Sequence, residues 1–215
     1  MSTPIVIVGC GGHGRELLTI VDAANEAAGA KRPWRLVGVV DDRPSTVNRD
    51  RLDRLAVPFL GGPDRLADMD PRTHYAIGIG SPRVRAGVAR RLDRYGRPAA
   101  RLVHPAATVG GDAALSEGVV VFAGARITTN VTLGRHVHVN QNATVGHDSV
   151  LADFVSVHPL AAVSGDCHLE TGVLVGTTAA VLQGLHVGAW STVGAGACVV
   201  RDVPANAVVK GVPAR

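Results

Sequence analysis

At 215 residues, with 46% hydrophobic content, the chain has room for two small domains, each with its own core. Net charge is +4, but 17 of the 22 Lys and Arg residues precede residue 107 and none lies between Val137 and Val200. No apolar run of membrane-spanning length is present, and three cysteines (Cys10, Cys167, Cys198) form no CxxC pair. These features argue against a membrane helix, a disulfide framework and a secretory leader, and for a reducing cytoplasm.

Along the chain, Pro4–Val8 reads as a buried parallel strand running into Gly9-Cys10-Gly11-Gly12-His13-Gly14, followed by a helix from about Arg15 to Ala28. Arg35–Val40 is a second strand, ending at Asp41-Asp42. A third lies near Tyr75–Ile79, then Gly80-Ser81-Pro82 and a helix to about Tyr95, with Leu102-Val103 as the last strand of this half. Alternating strands and helices predict a small α/β Rossmann-like domain over residues 1–103. The arginines of its last helix (Arg83, Arg85, Arg90, Arg91, Arg94) have no aromatic interleaving, so they read as a solvated face and not a nucleic-acid surface.

Gly9, Gly11 and Gly14 spell GxGxxG between a strand and a helix, a pattern that brings backbone and a helix N-terminus up to a phosphate. A dinucleotide-binding dehydrogenase is one reading. Against it, the first suitable acidic residue, Asp41, comes 27 positions after Gly14 instead of about 20. A nucleotide-bearing ligand is the safer expectation.

From residue 104 the pattern changes. Aliphatic residues recur every six positions from Val109 through Val145, Val163 and Val181 to Val199, sixteen rungs without a polar interruption. A helix repeats at 3.6 residues and a strand at 2, so a sustained period of six predicts an all-β parallel β-helix over 104–215. Three hexads close one triangular turn, which places residues 18 apart directly above one another. The near-absence of charge on its wall from Val137 to Val200 suggests a surface covered by other copies of the chain.

Nine histidines are too many to be specific. His168 and His186 stack on an outer face, His138 precedes a rung and points outward, and His74 and His104 are boundary residues. No two have the His-x4-His spacing of β-helix zinc sites, so no metal is expected. His147 differs: it follows Gly146, precedes Asp148, and lies one coil below Gly165. A neutral imidazole can take the proton of an attacking nucleophile, a carboxylate can fix its tautomer, and a bare glycine N–H can stabilise an oxyanion.

The hexad ladder and the closing Val209-Lys210-Gly211-Val212-Pro213-Ala214-Arg215 resemble the hexapeptide-repeat acyltransferases, over about half the chain. The resemblance implies a left-handed coil, whereas parallel crossovers are ordinarily right-handed. The Gly-Gly-His-Gly loop, the Asp-Asp strand end and the hexads together resemble the sialic-acid O-acetyltransferase-type and bacterial nucleotide-sugar N-acetyltransferases. That implies a homotrimer using acetyl-CoA to N-acetylate a nucleotide-linked amino-deoxy sugar, with no nucleic acid or membrane partner. The alternatives are O-acetylation of a sialic-acid-like sugar and a non-enzymatic nucleotide-binding trimer.

By position, the resemblance makes His147 the general base and Asp148 its partner. It places Gly11, Gly12 and His13 near the diphosphate or sugar, Asp41 and Asp42 at the base or ribose, and Gly80 and Ser81 in the same pocket. Acetyl-CoA would meet Gly165, Thr177, Ala195 and Lys210. Where some relatives have a second histidine this chain has Ser156, with His158 two places on.

Overall fold

The computed structural model describes residues 2–215. The chain forms two compact units: one ends at Gly80 and resumes over Val84–Leu102, the other comprises Ser81–Arg83 and Val103–Arg215.

In the first unit, strands β1 (Thr3–Val8), β2 (Trp34–Val40) and β3 (His74–Ile77) form a parallel sheet in the order β2-β1-β3. The central strand buries Ile5, Val6, Ile7 and Val8 almost completely, the continuous apolar run expected where both faces are covered. Single bridges, Val39 to Phe59 and Tyr75 to Ala99, extend the two edges. Helix α1 covers Gly12–Ala27, so it starts about three residues earlier than expected and takes His13 into its first turn. Two elements had no clear apolar period and were not anticipated: α2 (Thr46–Arg54), capped by the Ser45 hydroxyl on the Asn48 N–H, and a 3-10 turn over Pro63–Asp68. Helix α3 is Pro82–Asp93.

Arg83, Arg90 and Arg94 of this helix are exposed, as expected of a solvated face, but two arginines depart from it. Arg85 is fully buried and donates to the Ile79 and Gly80 carbonyls, while Arg91 is ion-paired. Long-range partners, invisible to a local composition count, draw both side chains inward.

The second unit is a left-handed parallel β-helix. Two-residue strands at six-residue intervals build three parallel sheets of seven, six and five strands, with partners 18 residues apart, such as Thr144 to Ala162 and Val150 to His168. Rungs Val121 to Val199 are all at most 2% exposed, whereas Val109 and Leu115, stacked on one side only, are partly exposed. Each buried rung stabilises the coil by about 1.5–3 kcal/mol against chain entropy. Leu102–Val103 is the first strand of this solenoid and not the last of the α/β sheet: it joins the seven-stranded face, where the His104 N–H donates to the Val121 carbonyl.

A second six-residue rhythm sits at the corners. Every sixth residue from Gly118 to Gly196 has positive φ. Glycine fills five of these places, and Asn130, Asn142, Asp148 and Asp166 fill four others with φ of 52–62°. Short polar side chains tolerate the left-handed region best among non-glycines. Asp148 is therefore placed by the coil's own corner geometry.

His138 departs from expectation. It is 0% exposed, as are its register partners: Val120 is fully buried and Ser156 is at 1%. An outward position on a coil is solvated only if nothing covers it, and cover is a tertiary property. His168 and His186 do lie exposed, ring on ring at 5.3 Å.

Candidate functional site

The C-terminal candidates are built on coil corners. His147 Nδ1 lies 2.6 Å from Asp148 Oδ2, and the two side chains are about half exposed, at 52% and 50%. The other carboxylate oxygen accepts from Asn130 Nδ2 at 2.7 Å. The Asn130 hydrogen bond, and after it the one from His147, holds the Asp148 carboxyl below its usual range. An ionised Asp148 on Nδ1 selects the tautomer that carries its proton there, leaving the Nε2 lone pair free to accept one. Asn130 went unnoticed in the sequence, yet it stands one coil (18 residues) before Asp148, so the period itself would have found it.

Gly165, one coil above, is buried directly against the ring. A Cβ there would sit 2.5 Å from His147 Nε2 and 2.6 Å from Cε1, so no side chain fits without moving the imidazole. Gly146 is equally constrained, since its Cβ would stand 2.5 Å from the Gly165 nitrogen. Among the described residues the Gly165 N–H has no hydrogen-bond partner, whereas its carbonyl accepts from the Gly184 N–H at 3.0 Å. Among these residues the coil leaves the same corner N–H without a partner elsewhere, at Thr171 and Thr177 among others, so the corner geometry presents it to an acceptor from outside the chain.

The other solenoid candidates occupy a different corner. His158, Thr177 and Ala195 follow the seven-stranded face, and the Gly196 N–H donates to the Thr177 carbonyl. Lys210 packs beside this corner, with its Cβ 3.1 Å from where a Gly194 side chain would begin. The six-stranded sheet separates this corner from the His147 corner within one chain. Ser156 is covered in its strand and presents no exposed surface.

In the α/β unit, a cavity of about 640 Å³ is lined by apolar Val8, Ile79, Val84 and Val88 and by polar Asp41, Asp42 and Arg91. Val84 is 53% exposed and forms part of the apolar wall. The two aspartates divide their work. Asp41 accepts from the Cys10 N–H and the Arg43 N–H, both at 2.8 Å, and so ties the glycine loop to the end of β2. Burial, and next the hydrogen bond to Asp41, raises the Cys10 thiol to about 11, which makes it unreactive near neutral pH. Asp42 instead pairs with Arg91 at 2.6 Å.

Arg91 also grips Asp64 through two nitrogens at 2.8 and 2.6 Å, and Tyr95 donates to the same carboxylate. Arg91, then Tyr95, lowers the Asp64 carboxyl to about 2. These partners are 49 and 27 residues from Arg91, and no sequence period links them.

Gly11, Gly12 and His13 form the N-terminal turn of α1. No side chain caps that turn and no acidic residue lies in it, so no carboxylate there neutralises the positive end of the helix. A Cβ on Gly11 would meet nothing within 4 Å. Gly14 is different: its Cβ would overlap the Gly9 carbonyl oxygen, and Gly78 packs against the Gly14 backbone. Ile79, not Gly80 or Ser81, lines the cavity, and the Gly80 carbonyl is turned onto Arg85. Among the described residues no cluster of His, Cys, Asp and Glu is arranged to hold a metal ion, and no helix is long and apolar enough to cross a membrane.

Residues 4–92 match the PglD N-terminal domain family. UDP-N-acetylbacillosamine N-acetyltransferase of Bacillus subtilis is 33% identical over 123 residues, covering 55% of this chain and 51% of that protein, so the match spans about half the length of the relative. Among solved structures, the acetyltransferase domain of PglB from Neisseria gonorrhoeae, in complex with acetyl coenzyme A, superposes with TM-score 0.86 at 29% identity, covering 100% of this chain and 99% of that one. A mutant of perosamine N-acetyltransferase from Caulobacter crescentus, in complex with CoA and GDP-perosamine, gives 0.85 at 27% identity, covering 99% and 95%.

Proposed function

We propose that the chain is a nucleotide-sugar N-acetyltransferase of the hexapeptide-repeat superfamily, the family its relatives and structural neighbours point to, and that it transfers an acetyl group from acetyl-CoA to the amino group of a nucleotide-linked amino-deoxy sugar. The observation that carries the reading is the stack of His147 Nε2 against the unpartnered Gly165 N–H, with Asp148 behind the ring.

The chemistry follows from that stack. The substrate's amine attacks the thioester carbonyl, and its proton passes to Nε2 as the C–N bond forms. The Gly165 N–H donates to the oxygen as it gains charge, and Asp148 steadies the imidazolium. Collapse of the tetrahedral centre breaks the C–S bond. The imidazolium returns the proton to the leaving thiolate, giving an amide and a free thiol.

With half of the dyad exposed in one chain and the coenzyme candidates on another corner, a single copy leaves the site open. A trimer in which a neighbouring chain supplies the second corner would complete and dry it. Gly11, Gly12 and His13 would meet the diphosphate, and Asp42 the base or ribose. The experiment is thiol release from acetyl-CoA measured across UDP-, GDP- and dTDP-linked amino sugars and free sialic acids. Release and amide formation with at least one nucleotide amino sugar is expected. Release with sialic acids alone would overturn the reading.

Arg91→Met should weaken nucleotide-sugar binding by roughly tenfold in calorimetry while leaving acetyl-CoA affinity unchanged, because it frees Asp42 and Asp64 at the cavity. Arg91→Lys should rescue little, since a point charge cannot hold two carboxylates through three nitrogens. Unchanged affinity in Arg91→Met would remove this cavity from the nucleotide site.

A further inference from the structure

The inward position two residues before each rung is Ala, Val, Leu or Cys except at Ser191 and at Ser149, which lies beside the dyad. Its side chain is fully buried, and its hydroxyl sits in a specific place. At the corners entering the six-stranded sheet, the chain closes each turn with a direct backbone bond: Ala143 N–H to Asn140 O at 3.1 Å, Ala161 to His158 at 3.1 Å, and Ala179 to Gly176 at 3.0 Å. The 164–167 corner enters the five-stranded sheet and, like the stacked corners 146–149 and 182–185, has no such direct bond; here the two groups are joined through Ser149. Its oxygen accepts from the Cys167 N–H at 3.2 Å and its hydroxyl donates to the Ser164 carbonyl at 3.0 Å.

That carbonyl belongs to the peptide whose nitrogen is Gly165. A trans peptide is planar, with C=O and N–H pointing in opposite directions. Holding the Ser164 oxygen toward the buried hydroxyl therefore turns the Gly165 N–H away from the coil interior. The next peptide is held as well, by the Gly184 N–H on the Gly165 carbonyl.

We propose that Ser149 is a positioning residue for acetyl transfer: by bridging the Ser164 carbonyl and the Cys167 N–H, its hydroxyl sets the Ser164–Gly165 peptide so that the Gly165 N–H faces the reacting carbonyl oxygen. The inference rests on the reading of Gly165 as the oxyanion donor. Without the hydroxyl, the Ser164 oxygen and the Cys167 N–H lose their partner, and nothing then holds that peptide against rotation, since the stacked corners at 146–149 and 182–185 have no direct turn bond to take its place.

An isosteric pair tests this. Val131, Val155 and Val173 occupy equivalent ladder positions, so the coil accepts a β-branched side chain there. Ser149→Thr keeps the hydroxyl, and Ser149→Val replaces it with a methyl of the same shape. With acetyl-CoA and whichever nucleotide amino sugar the wild type turns over, Ser149→Val is expected to lower kcat on the order of tenfold or more. Both KM values should stay within about twofold, and Ser149→Thr should keep most of the turnover. Equal kcat in the two variants, whether both high or both low, would overturn the proposal.

Crystal structures of the variants decide the matter even if no tested sugar is acetylated, an outcome that would count against the proposed function alone. The Ser164–Gly165 peptide should be rotated in Ser149→Val and native in Ser149→Thr. A native plane in Ser149→Val would overturn the proposal.

Discussion

Replacing His147 with alanine is expected to lower kcat by roughly 10²–10⁴ while leaving the KM for acetyl-CoA and for the nucleotide sugar nearly unchanged. The ring's Nδ1 is committed to Asp148, and its Nε2 sits against Gly165. It is thus placed to accept a proton, whereas the residues assigned to ground-state binding lie elsewhere: the cavity around Asp42 in the α/β unit and the Thr177–Ala195 corner. Asp148→Asn should cost less than His147→Ala, because the imidazole remains and the Asn130 contact can still hold the new amide. His158→Ala should be milder still. Steady-state kinetics of the three variants check the order. Near-normal turnover in His147→Ala with loss of turnover in His158→Ala would mean that the wrong corner has been assigned to proton transfer.

Gly14→Ala is expected to destabilise the α/β unit by on the order of 3 kcal/mol and to abolish nucleotide-sugar binding, while Gly11→Ala leaves the fold intact. Both residues belong to the same glycine motif, but their surroundings differ. A Cβ on Gly14 would overlap the backbone oxygen of Gly9, and the Gly78 backbone closes the other side. No flexible side chain can yield there, so α1 must lift from the β1–β3 end of the sheet and take its N-terminal turn with it. Gly11 has open space where its side chain would begin, and a φ of −64° that any residue adopts. A methyl at Gly11 would intrude only on a bound phosphate. Thermal denaturation separates the two effects, and calorimetry with a nucleotide amino sugar reports binding. A Gly14→Ala protein of wild-type stability and affinity would show that helix–sheet packing does not depend on this glycine.

The same contrast explains what could be read from the chain alone. Any feature that repeats at a fixed separation was visible there. The six-residue ladder requires stacked coils, because no other backbone buries sixteen aliphatic residues at that spacing, and the 18-residue coil by itself places Gly165 above His147. Asn130 and Ser149 obey the same arithmetic, Asn130 below Asp148 and Ser149 below Cys167, so they were legible in principle. The corner rhythm that sets Asp148 at φ 62° is a further case.

Other features hang on contacts with no rule of separation, and only the tertiary structure decided them. Arg91 finds Asp64 and Asp42 across 27 and 49 residues, Arg85 is pulled under the turn by the Ile79 and Gly80 carbonyls, and His138 is covered while His168 is not. Leu102–Val103 reads as a strand either way, but which sheet it joins depends on the partner that satisfies its backbone, and here that is the first full coil. A solenoid makes local pattern and three-dimensional neighbourhood nearly the same thing, since each residue's neighbours lie one coil away. The α/β unit joins segments by crossovers of unequal length, so its pocket could be expected from the glycine loop and the aspartates but not assembled from them.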